Sequence, residues 1–417
     1  MRKLALLLFV LLSVALLVSC GKGDSDTPNE TGNETVANPG GEDTPADEEP
    51  KRLSEEEKAK YFKFVEFELT KEPFRDVIVD YMRKQSDIEW VCAEDFSVSE
   101  KWAHWGISLN FKKGQTYRGI PYADTKVSYL QFQNALVDGK YTSASSKWED
   151  VYGVQCISSI MNSIQQFDPT VAGTSNVMMP SYSTFEALIC GEYKIPSGVN
   201  KTVDIITANG EDVIYDAYGT MKKGDIIMTK NDSEGTSHFR VLVEDPTIYK
   251  NGAGKVIPSR CSVKTIEQTN AFDPQRNDGV KTTWFVDHIY SFKTLVDQRY
   301  IPLTLASYNK SRSEMEIPYI ALDEDLKPEL LAKKAFNGAV KSNFPLRYVR
   351  IDVLDEAGNT VTVKYKMNME DSRTVVFRNS FSSLFDGLKS GSKYTLVVSA
   401  GIAIDSCELT RVEFTLN

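Results

Sequence analysis

Histidine is scarce in this chain, and the common cysteine pairings are missing. The 417 residues include only three histidines, His104, His238 and His288, too few for a many-ligand metal centre. None of the six cysteines forms a CxxC pair, which argues against zinc ribbons and thioredoxin-like redox sites. No metal is therefore expected, and covalent chemistry at a cysteine would need no organic cofactor. Positive charge is in deficit as well. Lys and Arg number 48 against 58 acids, a formal charge of −10, so no global basic field for nucleic acid exists and nucleic acid is not expected as a partner. Past the N-terminus no apolar run approaches the roughly 18 residues of a membrane span. What is present is globular in kind: 41 % hydrophobic and 25 % charged residues. This composition excludes a wholly disordered chain, a collagen and a coiled coil. The length suggests two or three domains.

The first residues read as an address. Arg2 and Lys3 form a positive start, Leu4 to Val18 is apolar, and the run closes in Leu17-Val18-Ser19-Cys20. That is the layout of a signal peptide, and its end resembles the bacterial lipobox, in which cleavage leaves the cysteine diacylated. An ordinary secretory signal is the plainer alternative. The expectation is a signal peptide over 1–19, lipidation at Cys20 and a membrane anchor made of lipid. It places the protein in the bacterial cell envelope, on the periplasmic or surface face of a membrane such as the outer one. Residues 21–50 contain no Leu, Ile, Phe, Tyr, Trp or Met and carry nine acids and one lysine. Such a stretch cannot repay its ordering entropy, so 20–51 is expected to be a disordered acidic tether. Without Arg2 and Lys3 the charge falls from −10 to −12; the tether carries −8, leaving −4 for the body.

The body divides by texture. Ser54-Glu55-Glu56-Glu57 has the form of a capping box, and Phe62, Val65 and Leu69 follow at helical spacing, predicting a helix over about 54–69. Phe74, Val77, Ile78, Tyr81 and Met82 predict a second. From Gly224 strands are expected at 225–229, 238–244, 261–268, 282–286 and 300–304, with a long hairpin loop over 247–260. Helices followed by antiparallel strands indicate an α+β domain over 52–305. From 306 to 417, alternating runs such as Val349-Ile351-Val353, Val361-Val363-Tyr365-Met367, Tyr394-Leu396-Val398 and Val412-Phe414-Leu416 indicate an all-β sandwich of immunoglobulin-like type. That region offers no chemistry by itself; packing or display, and binding of envelope polymer or a partner, fit it equally.

Cys156 stands apart from the other cysteines. Gly153-Val154-Gln155 precedes it, and Ile157, Ile160, Met161 and Ile164 follow at helical spacing. It is thus expected at a helix N-terminus, where unpaired amides and the macrodipole favour an anion and hence the nucleophilic form of a thiol. Taken singly it equally fits a small buried hydrophobe. In Ser237-His238-Phe239-Arg240-Val241, His238 opens a strand on the face opposite Phe239 and Val241, a suitable place for a general base. Glu267, in Val263-Lys264-Thr265-Ile266-Glu267-Gln268, is a group that would orient the base; Gln268 is the alternative, because one sequence does not fix strand register. Each position taken alone also fits a plain surface or packing role. Cys92, Cys190, Cys261 and Cys407 are either disulfide partners or buried free thiols. His288 reads as structural, since neighbours on a strand face opposite ways; His104, between Trp102 and Trp105, reads as a packing or surface residue.

Together these segments resemble the NlpC/CHAP superfamily of papain-like cysteine peptidases and amidases, bacterial cell-wall hydrolases. Tyr117-Arg118-Gly119-Ile120-Pro121-Tyr122 resembles the entry segment of the NlpC type, and Gly153-Val154-Gln155-Cys156 the CHAP nucleophile segment. Lys223-Gly224-Asp225-Ile226-Ile227 resembles the strand before the base, Ser237-His238 the base itself, and Ile266-Glu267-Gln268 the strand of the orienting residue. Five segments in the family order span about 115–270. The resemblance implies a papain-like fold in which Cys156 is nucleophile, His238 base and Glu267 orienting residue. It also implies Tyr122 lining the cysteine's pocket, Gln155 and Gln268 near substrate, and the Cys156 amide as an oxyanion donor. The chain departs from the pattern at Gln155, where NlpC-type members have aspartate, at Ile157, and in the longer stretches after Tyr122 and after His238. The expectation is an envelope hydrolase that cleaves amide bonds in peptidoglycan stem peptides or related peptides. The alternatives are a non-catalytic cell-wall or glycan-binding lipoprotein with the same fold, and amide transfer by the same thiol.

Overall fold

The computed structural model describes residues 49–99, 108–170, 187–231, 236–367, 369 and 371–417. The expected signal peptide, Cys20, nearly all of the tether and His104 lie outside the described residues. The architecture combines helices with predominantly antiparallel sheets, with more strand than helix. No helix of the described residues is long and apolar enough to cross a membrane.

The first half is organised by a six-stranded antiparallel sheet. Its order is Trp284–Ser291, Ser262–Gln268, Thr236–Leu242, Ile226–Asn231, Ile301–Leu305 and Ala187–Ile189. Against it pack the helices Phe74–Asp87 and Cys156–Ile164. The short helix Cys156–Ile164 is buried along all nine residues. Ile157, Ile160, Met161 and Ile164 supply its apolar contacts, while the hydrogen-bond donors of its polar side chains find acceptors in the core. Ser159 Oγ donates to the Cys156 carbonyl at 2.9 Å, and Gln85 Nε2 donates to the Ser159 carbonyl at 3.0 Å. Asn162 Nδ2 donates to the Val127 carbonyl at 2.8 Å. A serine-rich helix can occupy the core because each buried donor that would otherwise lose water has a partner.

The second half contains two four-stranded antiparallel sheets around a separate hydrophobic cluster. One has the order Thr360–Met367, Tyr348–Leu354, Lys393–Gly401, Ser406–Thr415. The other has the order Lys63–Glu66, Tyr319–Leu322, Ala339–Ser342, Thr374–Val376. Ile320, Leu322, Val340 and Val375 from one sheet, and Val349, Ile351, Leu396 and Val398 from the other, enter the same cluster. Both halves are tied at one carbonyl: the hydroxyl of Tyr81, on the helix Phe74–Asp87, and Nε2 of Gln166, just past the helix Cys156–Ile164, donate to the Ala403 carbonyl at 3.2 and 2.9 Å.

The segment after the tether departs from expectation. The Ser54–Glu57 capping box is formed, but its helix is only Glu55–Lys58, and Lys63–Glu66 is a strand. Phe62, Val65 and Leu69 mimic helical spacing, yet Val65 and Phe67 pack into the second core as alternate residues of an extended chain. Pairing with Tyr319–Leu322 outweighs the local helical preference. Residues 63–66, grouped with the first half on sequence grounds, thus contribute a strand to a sheet of the second.

Candidate active site

The Cys156 helix starts where it does because of the chain on either side of it. Gln155 is extended (φ −99, ψ 176), and its amide donates to Ser158 Oγ at 2.7 Å. Just before it, Val154 bridges Tyr122 in parallel, with the Val154 amide donating to the Pro121 carbonyl at 3.0 Å. Gly153 is needed for this approach. A Cβ there would lie 2.5 Å from both the Ala123 Cβ and the Pro121 carbonyl oxygen, closer than such atoms come. The entry segment and the cysteine segment, separate in sequence, are therefore in contact. The entry segment is pinned in turn by the sheet: Gln268 Nε2 and Trp284 Nε1 donate to the Ile120 carbonyl at 2.8 and 2.9 Å.

At the helix start Cys156 is buried (5 % exposed). Its Sγ lies 3.9 Å from the Ser237 carbonyl oxygen, beside the His238 imidazole on whose protonation it acts. His238 Nε2 in turn meets Glu267 Oε2, which leaves Nδ1 as the ring nitrogen available to the thiol. Glu267 is almost fully buried (2 % exposed) and accepts two further hydrogen bonds, from Arg240 Nε at 2.9 Å and from the Tyr290 hydroxyl at 2.7 Å. The structure thus brings Cys156, His238 and Glu267 into one array from a helix N-terminus and two neighbouring strands.

The electrostatics follow from these contacts. Burial alone favours protonated Glu267, but the hydrogen bond and charge of His238, with Arg240 and Tyr290, outweigh it and hold the carboxyl at about 2. For His238, burial disfavours the charged ring, yet the bonds to Cys156 and Glu267 and their negative charge push its pKa up to about 9. The ring therefore carries its proton at neutral pH.

The other residues singled out from sequence occupy distinct places. Gln268, the alternative orienting group, is directed away from His238: besides Ile120, it accepts from the Thr269 amide at 2.9 Å. The Gln155 side chain donates to Asp124 Oδ1. Tyr122 is half-buried, packed on the first core and bridged to Val154, two residues before Cys156 in the chain. His288 meets Asp273 Oδ2 at 3.2 Å and stacks on Phe285 (4.7 Å between centroids). Its neighbour Asp287 pairs instead with Arg83 at 2.7 Å. Cys92, Cys156, Cys190, Cys261 and Cys407 are all free thiols, so none of the disulfides left open by sequence is formed among the described residues. Among those residues no cluster of three or more His, Cys, Asp or Glu could hold a metal ion. Sequence reasoning passed over Arg240, Tyr290 and Tyr300. Arg240 was legible, because period-two alternation sets it on the face of His238, two residues on. A cleft of about 660 Å³ lined by Leu69, Val77, Tyr81, Gln166 and Ile404 lies beyond the far end of the Cys156 helix and includes none of the array.

Comparison of the chain with family models, curated proteins and solved structures found no match.

Proposed function

We propose that the protein is a cysteine hydrolase of papain-like type that cleaves amide bonds in peptidoglycan stem peptides or related peptides. The single observation that carries this reading is the Cys156–His238–Glu267 array, a cysteine at a helix N-terminus beside an imidazole that a buried carboxylate orients. In the proposed reaction the Cys156 thiolate attacks the substrate carbonyl. The Cys156 backbone N–H, at a helix start where amides lack intrahelical acceptors, donates to the developing oxyanion. Collapse expels the amine, which takes its proton from the His238 imidazolium. Water then attacks the thioester, His238 accepts the water's proton, and the thiolate leaves, giving the carboxylic acid product. Glu267 keeps the imidazole ring oriented throughout.

The second half, with two sheets sharing one cluster, fits an immunoglobulin-like sandwich that presents substrate or a partner. The lipobox-like Leu17-Val18-Ser19-Cys20 supports attachment to an envelope membrane through lipid at Cys20. A binding-only role keeps one observation in its favour, the 5 % exposure of Cys156.

Purified muropeptides incubated with the protein and with Cys156→Ala, followed by mass spectrometry, separate these readings. Loss of an amide bond with wild type alone supports hydrolysis. A product joining two peptides indicates transfer, and retention without mass change, equal in both proteins, indicates a binder and refutes the hydrolase.

A further inference from the structure

One charged group at this site has no part in the reaction just described. Arg240 is buried (7 % exposed), with its guanidinium carbon 3.8 Å from the Tyr290 ring centroid and 4.3 Å from that of Tyr300. Its Nε donates to Glu267 Oε2, the same oxygen that meets His238, and its Nη1 donates to Gln298 Oε1 at 3.2 Å. Two aromatic faces and two acceptors leave the planar fork little freedom, a fit that a flexible lysine would not reproduce.

We propose that Arg240 is a positioning residue that acts through Glu267 to limit how tightly His238 holds its proton. The proposal rests on reading Cys156, His238 and Glu267 as the reacting array. Two cations share one carboxylate oxygen. The carboxylate favours imidazolium; a permanently charged guanidinium on that oxygen draws on the same negative charge and repels a charged ring. The ionisable groups facing His238 are Cys156 from the helix, Glu267 from one adjoining strand and Arg240 from its own strand; the other adjoining strand, Ile226–Asn231, sets Thr229 opposite His238 and Lys230 opposite Ser237, on the other face. Tyr300 meets the ring edge-on with centroids 6.5 Å apart, and Tyr290 acts through Glu267. Among the groups facing the ring only Arg240 is a cation. A base that must accept a proton from thiol or water and yield it to a leaving amine works best with intermediate basicity. Paired with Glu267 alone, the ring would keep its proton further into alkaline pH.

The test is an NMR titration of the His238 imidazole in the full chain, its signal identified by loss in His238→Gln. Arg240→Met and Arg240→Gln are expected to raise the midpoint by about one pH unit, the order of a nearby charge effect at a partly buried site. Arg240→Lys, which keeps a charge but not the contacts of the planar fork, is expected to fall between the wild type and the neutral variants. A folded neutral variant whose midpoint is unchanged or lower overturns the proposal. So does failure of both neutral variants to fold while Arg240→Lys folds, since Arg240 would then serve stability alone. No substrate enters the titration, so a chain that shows the shift and cleaves no muropeptide sinks the hydrolase reading while leaving Arg240's influence on His238 intact.

Discussion

Raising the pH should weaken this fold through one residue, His238. Its folded pKa of about 9 stands against an ordinary value of 6.5. Below 6.5 the ring is charged in both folded and unfolded chains, and the stabilisation from Cys156 and Glu267 is fully present. Between 6.5 and about 9 the folded ring keeps its proton while the unfolded ring has lost it, so folding takes up a proton and stability falls as pH rises. Across that window the gap corresponds to about 2–3 kcal/mol, allowing for partial solvent access to the ring. The side chain is 23 % exposed, so screening is incomplete. Urea unfolding followed by tryptophan fluorescence suits the measurement, because Trp90 and Trp284 are buried at 1 % and 0 % exposure. Subtracting the pH dependence of His238→Gln from that of wild type isolates the ring. A difference that declines by about 2–3 kcal/mol from pH 6 to pH 10 is expected. A flat difference would refute the coupling drawn between His238, Cys156 and Glu267.

Other perturbations follow from the same contacts. Iodoacetamide at neutral pH should label Cys156 ahead of Cys92, Cys190 and Cys407, whose thiols burial pushes up, Cys407 to about 11. Labelling of Cys156 should slow at least ~10-fold in His238→Gln, which removes the adjacent base; equal rates for Cys156 and Cys407 would count against an activated thiol. Gly153→Ala forces its new methyl onto Ala123 and Pro121 and should cost about 1–3 kcal/mol in unfolding free energy, with a larger relative loss of Cys156 labelling than of overall stability. Tyr290→Phe removes one of the bonds to ionised Glu267 and should cost about 1.5–3 kcal/mol, read by the same urea titration.

The sequence made local pattern visible and left long-range pairing hidden. Alternation around Phe239 and Val241 was enough to set His238 on the opposite face, and the strand Thr236–Leu242 has that form. Glycine and apolar spacing around Cys156 likewise marked a helix start. The stretch 62–69 misled because its apolar residues suit both periods, and only pairing with Tyr319–Leu322, far along the chain, selects the strand. The β-bulge on Trp284–Ser291 had no local signal either. The register jumps from Thr265↔His288 to Ile266↔Val286, leaving Asp287 at φ 60, a left-handed conformation that aspartate tolerates better than most residues. The bulge turns Phe285, His288 and Tyr290 to the face of Glu267, which is why Tyr290 reaches the carboxylate. No period-two reading of that strand puts Phe285 and His288 on one face.

Glu267 and Gln268 show how strand register divides labour between neighbours. Glu267 faces His238 and Arg240; Gln268, one residue on, faces the other way and holds the Ile120 carbonyl. That carbonyl belongs to the segment whose Pro121 and Tyr122 pair with Val154 and set the cysteine turn. One strand therefore fixes both partners of the dyad, the imidazole directly and the thiol through its platform, and a slip of one residue would exchange the two side chains and lose both functions. The consequence is measurable by separating charge from scaffold. Gln268→Leu removes a buried hydrogen bond without touching the charges around His238. It should lower unfolding free energy by about 0.5–1.5 kcal/mol, the net worth of one hydrogen bond, because the Ile120 carbonyl keeps its bond from Trp284, and slow Cys156 labelling while the His238 titration stays in place. Glu267→Gln should instead move that titration to lower pH, because the negative charge that favours imidazolium is gone while Arg240 remains. A Gln268→Leu chain that shifts the His238 midpoint as far as Glu267→Gln does would show that both residues act on the imidazole alike and that the division is wrong.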